Sequence, residues 1–321
     1  PPPSPAQQIA EAIKALIDEK VPLYDQSPFD LVILDAANNN AVLKVAPLAL
    51  PDRKVPQPLP KTGFFELELF DEPGERYRVA WRNVTEIRLF EQLLVEKTGQ
   101  LIREKRFGEA YDYLDHLFQF YPKTPGLTEV QQLFLFEEAS SALEAKAFDR
   151  AYADLLNLFR LNPQYPGLAD KLSQAAEGLV LRYVEASDYA SARGVVYSLS
   201  QLIPQHPVAQ RWQKTWLQQA EELRTQIETA LTTGNPRQAD RLLRQLRQVW
   251  PAFKDLPDLS QRVQEAYPRV RVAVTLPAIS FDPNSLTDWA ARRSGRLLFR
   301  SLLEYAAPGG EGGVYQSQVV E

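Results

Sequence analysis

The chain has 321 residues, 45% of them hydrophobic, and 36 Lys and Arg set against 41 Asp and Glu leave a formal charge of −5. That composition can fill a packed core, and the mild acidity argues against a dedicated nucleic-acid binder. With no cysteine there is no disulfide and no thiolate metal site, and no apolar run approaches the roughly 18 residues of a membrane span.

A chain of this length suggests two or three domains. The absence of cysteine leans toward an exported protein that avoids stray oxidation. Methionine is also absent and the chain begins PPPSP. This start fits either a mature N-terminus after signal cleavage or an arbitrary boundary. Pro1 to Pro5 read as an extended tether. Ile9 to Lys20 (IAEAIKALIDEK) carries apolar residues at 9, 13, 16 and 17, the spacing of a short amphipathic helix, and Pro22 closes it. Residues 1–27 are thus a tether and short helix.

Residues 28–90 change to strand grammar. FDLVILD, the turn-forming triplet NNN and AVLKVAPLAL predict a hairpin. A proline-rich loop follows, then FFELELF and RYRVAW, each alternating apolar and polar, joined by the turn DEPGE. VTEIRLF reads two ways: Asn83 with Glu86 resembles a helix capping box, and Ile87 to Phe90 fit a last strand. Four or five strands are expected to form a small barrel-like β module, with a core slight enough that it must dock on the helices beside it.

From 91 to 266 the helical period takes over. AYDYLDHLFQFYPKTPGL at 110–127 is echoed by AYADLLNLFRLNPQYPGL at 151–168, 41 positions later. The frame recurs at Ala192 with Pro204 and at Ala239 with Pro251, so four pairs (Ala110 and Pro122, Ala151 and Pro163, and these two) each hold alanine 12 positions ahead of proline. Three before each alanine stand Phe107, Phe148, Tyr189 and Pro236; four after stand Leu114, Leu155, Val196 and Leu243; seven after stand Leu117, Leu158, Leu199 and Leu246. Each unit is therefore a helix with an apolar face, a small residue where helices approach closely, and a proline stop.

These residues resemble the tetratricopeptide repeat, whose paired helices carry an aromatic, a small alanine and a closing proline on the second helix. The resemblance implies an α-helical solenoid of four units and a docking groove lined by the first helix of each pair. The alanines lie 41, 41 and 47 residues apart, longer than the family's unit, which is ascribed to a longer linker after each proline. In the fourth unit the turn GNP replaces the aromatic. Carried over position by position, the groove comprises Gln92, Arg103, Ser140, Glu144, Gln174, Glu177, Glu185, Glu221, Arg224 and Glu228. The family's carboxylate clamp is missing, since Val95 and Gly99, then Phe136 and Ser140, occupy its positions. A groove this acidic would prefer a basic or neutral segment.

Residues 267–321 read as the strand-helix start of a further, truncated domain. RVRVAVTL alternates, AISFDPNSL is a loop, WAARRSGRLLFRSLLEY reads as a helix capped at Thr287 or Asp288, and PGGEGG is a flexible exit. VRVAVTLPAISFDPNSL, with Leu298 to Tyr305, resembles the opening of family 5 extracellular solute-binding proteins, the peptide receptors of ABC importers. The whole arrangement resembles large exported proteins of planctomycete-type bacteria. The resemblance implies a periplasmic or cell-envelope, lipid-anchored protein, meeting a membrane only through a removed N-terminal anchor or an ABC permease, with its ligand cleft beyond Glu321.

No catalytic constellation, cofactor motif or metal spacing is present, and none of these functions is expected. His116 and His206 lie apart and read as structural or turn residues. Glu137 with Glu138, and Glu221 with Glu222, read as solvated helix faces. Arg237, Arg241, Arg244 and Arg247 stripe one helix, either as an anion-binding face or as ordinary solvated surface. Trp212 and Trp216 read as core between repeats. The readings that remain are a non-catalytic protein- or peptide-binding region in front of an exported solute receptor, a free-standing envelope scaffold whose last strand and helix fold back as a cap, and, least supported, an enzyme whose site the sequence hides.

Overall fold

The computed structural model describes residues 4–17, 20–268, 304–309 and 312–316. Among them the chain is mostly helical, with a small antiparallel sheet region toward the N-terminus. It divides into two compact units, Pro1–Ala220 with Gln248–Trp250, and Glu221–Arg247 with Pro251–Glu321.

In the first unit, helix α1 (Pro5–Leu16) starts sooner than its apolar spacing predicts. Ser4 Oγ accepts the Gln7 N–H at 3.3 Å and Gln7 Oε1 accepts the Ser4 N–H at 2.8 Å, a reciprocal cap that places Pro5 in the first turn, where its missing N–H costs nothing. Pro5 is therefore helical rather than part of a tether, and residues 1–3 lie outside the described residues. No residue of α1 is fully buried, although Ile13, Leu16 and Ile17 rest on the core below.

Five strands follow: β1 (Asp30–Leu34), β2 (Val42–Val45), β3 (Phe64–Glu68), β4 (Arg76–Ala80) and β5 (Val84–Arg88). The predicted hairpin forms, with Asp30 opposite Val45 and Ile33 opposite Val42. Its turn places Asn39 and Asn40 in left-handed backbone, which asparagine tolerates best among residues with a Cβ. VTEIR forms strand β5, antiparallel to β1, but the strand ends at Arg88, two residues short of the expected Phe90, which opens the first long helix. The module is not a closed barrel. The sheet runs β2-β1-β5, the hairpin β3-β4 joins it through a single bridge at Val45 and Leu69, and β4 and β5 are not paired with each other. Pro47, with no N–H to offer, limits how far β2 can pair onward.

Strand β1 is apolar on both faces, as its near-continuous run FDLVIL requires. Val32 belongs to a cluster with Val45, Leu67 and Ile87 inside the β module. Phe29 and Leu31 belong to a second cluster with Phe90, Leu94, Leu101, Ala110 and Leu117 of the helices. The β module and the first helices thus share one core.

The helices come in pairs: α2 (Phe90–Arg103) with α3 (Phe107–Phe120), α4 (Leu127–Glu144) with α5 (Phe148–Leu161), and α6 (Leu168–Glu185) with α7 (Tyr189–Leu202). The long α8 (Pro207–Thr232) runs out of the first unit into the second, followed by α9 (Pro236–Val249) and α10 (Leu256–Ala266). All four repeat alanines are fully buried, as are Leu117, Leu158, Leu199 and Leu246 seven residues on. Each repeat proline sits two residues past the end of its helix.

The turn inside every pair is built the same way. Lys105, Lys146, Ser187 and Gly234 adopt positive φ, between 57° and 70°. The N–H of each bonds the carbonyl three back: Ile102, Leu143, Val184 and Leu231. The next N–H (Arg106, Ala147, Asp188, Asn235) bonds the carbonyl five back: Leu101, Ala142, Tyr183 and Ala230. This is the Schellman arrangement, which satisfies carbonyls that a helix end would otherwise orphan. The middle unit comprises an 18-residue α4, a three-residue turn, a 14-residue α5 and a six-residue linker. The 47-residue interval differs elsewhere: α8 spans 26 residues while the linker before it shrinks to four, so the added length lies in the helix and not after the proline.

In the second unit Arg247 donates to Ser260 Oγ at 2.9 Å, holding α9 to α10. β6 (Glu304–Gly309) and β7 (Gly312–Gln316) form an antiparallel hairpin, with Gly309 opposite Gly312. This corrects two expectations. Glu304 and Tyr305, assigned from sequence to the end of a helix, are strand residues, and Gly309, Gly312 and Gly313 of PGGEGG belong to strands instead of a loose exit. Pro308 is incompatible with a helix interior. The strand expected at 269–276, and the rest of the expected helix, lie outside the described residues.

Candidate interaction surface

Within the first unit, α4 packs on both α2 and α6, so the first helices of consecutive pairs are neighbours. α4 and α6 each begin after a proline-containing linker, and Gly126 and Gly167 (φ 85° and 78°) supply the left-handed residue that turns the chain into them.

The ten groove positions taken from the repeat pattern divide into two kinds. Seven are engaged within the chain. Gln92 caps α2, its Oε1 accepting the Leu89 N–H at 3.2 Å. Ser140 Oγ donates to the Phe136 carbonyl at 2.6 Å. Glu144 accepts from Lys105 Nζ at 3.1 Å, tying the turn of one pair to the next. Glu177 pairs with Arg211 and accepts the Trp212 indole N–H at 3.2 Å. In the second unit Arg224 sits among Glu221 at 3.5 Å, Glu228 at 3.6 Å and Asp255 at 3.4 Å. Arg103, Gln174 and Glu185 are exposed, with no hydrogen bond or ion pair to the described residues. The acidity read from sequence is therefore largely neutralised inside the chain.

The first helices also carry a groove that the repeat pattern does not indicate. It has a volume of about 1260 Å³ and lies between α1 and the α2–α4 pair. Ile13 of α1 and Ile17 just past its end line it, with Val95 and Arg103 from α2 and Val130 and Leu133 from α4.

Sequence reasoning also missed the most heavily bonded polar cluster. Asp30 is fully buried at the start of β1. Its Oδ2 accepts the Leu48 N–H at 2.7 Å and Arg53 Nη1 at 2.8 Å; its Oδ1 accepts the Phe90 N–H at 3.0 Å and Arg53 Nη2 at 2.8 Å. Arg53 also donates to both oxygens of buried Glu91, at 3.0 and 2.7 Å. Hydrogen bonds to the two carboxylates raise the Arg53 pKa despite the opposing effect of burial. One guanidinium thus locks strand, loop and the first turn of α2 together.

The two histidines lie apart. His116 is flanked by the rings of Tyr24, Phe120 and Tyr121, and burial lowers its pKa. His206 is buried in the linker before α8. Its Nδ1 accepts the Val208 N–H at 3.3 Å, leaving Nε2 to donate to Ser173 Oγ at 3.3 Å, and burial again lowers the pKa. Trp216 is fully buried between Trp212 and Trp250. In the arginine stripe of α9, Arg244 pairs with Asp240 at 3.1 Å and Arg247 is held by Ser260. Among the described residues no three His, Asp or Glu side chains converge to hold a metal ion, and no helix is long and apolar enough to cross a membrane.

No protein-family model, curated protein or solved structure matches the chain.

Proposed function

We propose that this chain is a non-catalytic interaction protein: a helical-repeat solenoid, braced at one end by a β module, that holds a protein or peptide partner on the faces of its first helices. The observation that carries this reading is the recurrence of one backbone-bonded hairpin at 41-residue spacing with neighbouring first helices in contact. Such units bury a core by stacking on their neighbours and leave a row of side chains outward. Arg103, Gln174 and Glu185 are the outward positions left unengaged by the chain itself. A location outside the cytoplasmic membrane, in front of a peptide-type solute receptor, rests on the lack of cysteine and on the resemblance of residues 270–305. Several hundred further codons of two-lobed α/β pattern past Glu321 would favour the receptor arrangement; a stop codon there would exclude it.

The direct test uses the full chain as bait with site-specific crosslinkers at Gln174 and Glu185. A partner captured at these positions must be lost on converting both to lysine, and retained when lysine is placed instead at exposed Asn157 and Gln201 on second helices. Capture that does not distinguish the two faces defeats the reading.

A further inference from the structure

We propose that the groove between α1 and the α2–α4 pair docks an amphipathic helix of a partner protein, apolar on one side and acidic on the other. The inference rests on the interaction reading and gives it a place and a chemistry. Three features of the groove point to this occupant.

The first is size. At a diameter of ~10 Å and a pitch of 5.4 Å, a volume of about 1260 Å³ holds about three turns of helix. The second is an apolar lining from two elements, Ile13 of α1 with Ile17 just past its end, and Val130 with Leu133 of α4. Helices recognised in such grooves are read through apolar anchors at i, i+3 or i+4, and i+7. The third is charge. Among the described residues the groove is lined by Lys14, Lys20, Lys97, Arg103 and Arg106 against Glu96, Glu109 and Glu129, and Lys14, Lys20 and Arg106 have partners within the chain. Of those glutamates, Glu109 is taken by Arg106 and Glu96 by Arg88, while Arg103 has no ion-pair partner among the described residues. A partner bearing carboxylates on its outer side would find Arg103 and Lys97 at the rim, a complementarity that fixes orientation and selects against basic helices.

The test uses the intact chain and three synthetic 14-residue helical peptides in fluorescence anisotropy. One carries leucine at i, i+4, i+7 and i+11 with glutamate at the polar positions. The second replaces each glutamate with lysine, and the third replaces each leucine with serine. The glutamate peptide should bind at least tenfold tighter than the lysine peptide, and the serine peptide should not bind. Arg103→Glu together with Lys97→Glu should erase the preference for glutamate, and Leu133→Asp should abolish binding. Tyr197→Ala, exposed on α7, should change nothing. The charge variants alter exposed or rim positions, so they decide the matter even if Leu133→Asp fails to fold. No binding of the glutamate peptide at several hundred micromolar, equal binding of both charged peptides, or indifference to the charge variants overturns the proposal. Crosslinking at Gln174 and Glu185 reads a different stretch of surface, so it can succeed where these peptides fail.

Discussion

The ring of Phe148, at the head of α5, lies against the bare backbone of Gly178 in α6, so closely that a methyl group added at residue 178 would overlap it. The aromatic that marks the second repeat is thus a knob, and its hole is a missing side chain on the next pair. Gly178→Ala should destabilise the chain by about 1–3 kcal/mol through overpacking. That outweighs the gain of roughly 0.5–1 kcal/mol expected for alanine over glycine in a helix. Gly194, inside α7, has open space where a methyl would sit, with no neighbouring atom within 4 Å, so the same substitution there should stabilise by about 0.5–1 kcal/mol. Urea denaturation of the two variants, with opposite shifts of the midpoint, checks the pair; shifts of one sign would show that the interlock is absent.

The Schellman turns make a second matched pair. Ser187 holds a positive φ of 59° at the place where the fourth turn uses Gly234. Left-handed backbone costs a residue with a Cβ roughly 1–2 kcal/mol. Ser187→Gly should therefore raise stability by about 1 kcal/mol, and Gly234→Ala should lower it by a similar amount. Thermal melts of the two variants read both signs.

Arg53 should be among the most sensitive polar residues of the β module. Its loss leaves two buried carboxylates facing each other without a counter-charge. Removing one partner of an enclosed ion pair costs about 3–5 kcal/mol. Because a third of the Arg53 side chain remains in water, about 2–3 kcal/mol is expected for Arg53→Ala. Arg53→Lys should recover only part of it, since a point charge cannot bridge both oxygens of two carboxylates. A lysine variant as stable as wild type would show that charge alone, and not the fork, matters.

Acid should weaken the fold in part through His206. Burial holds its pKa below the ordinary histidine value of about 6.5. The unfolded chain takes up the proton first, so stability is fully present above about pH 6.5 and falls as pH drops through the window between the unfolded and folded values. Phe253 occupies the matching place 47 residues on, so His206→Phe is a natural replacement. The loss of denaturation midpoint between pH 7.5 and pH 5 should shrink in that variant. His116, also held low by burial, supplies a remainder of the same sign. An unchanged pH dependence would exclude His206 as a contributor.

What the sequence made legible was local. Ala110, Ala151, Ala192 and Ala239 recur in frame because each must clear a neighbouring helix, and spacing along one helix is enough to find them. The Asp30–Arg53–Glu91 cluster left no such trace. Its members are 23 and 38 positions apart, and Arg53 reaches them only because loop residues 52 and 53 take left-handed backbone. The groove beside α1 was hidden for a related reason: periodicity gave α1 an apolar side but not the surface on which it lands. The groove residues were found in part. Position along a helix could be carried over from the repeat pattern, but Lys105, Arg211 and Asp255, which occupy Glu144, Glu177 and Arg224, arrive from other helices and turns. The expected barrel failed for want of pairing information, since alternation in β4 and β5 says which faces are apolar and nothing about whether the two strands meet.

The four matching turns have a consequence for how this chain could change length. Each hairpin closes its own backbone polar groups, and the linkers on either side of α4 and α5 share the same six-residue form. Splicing in or excising one complete 41-residue period would therefore rejoin like with like, leaving no N–H or C=O stranded at the seam. The number of hairpins is in that sense an adjustable dimension of the molecule, whereas a gain or loss of a few residues within a hairpin would throw its knobs out of register with their holes.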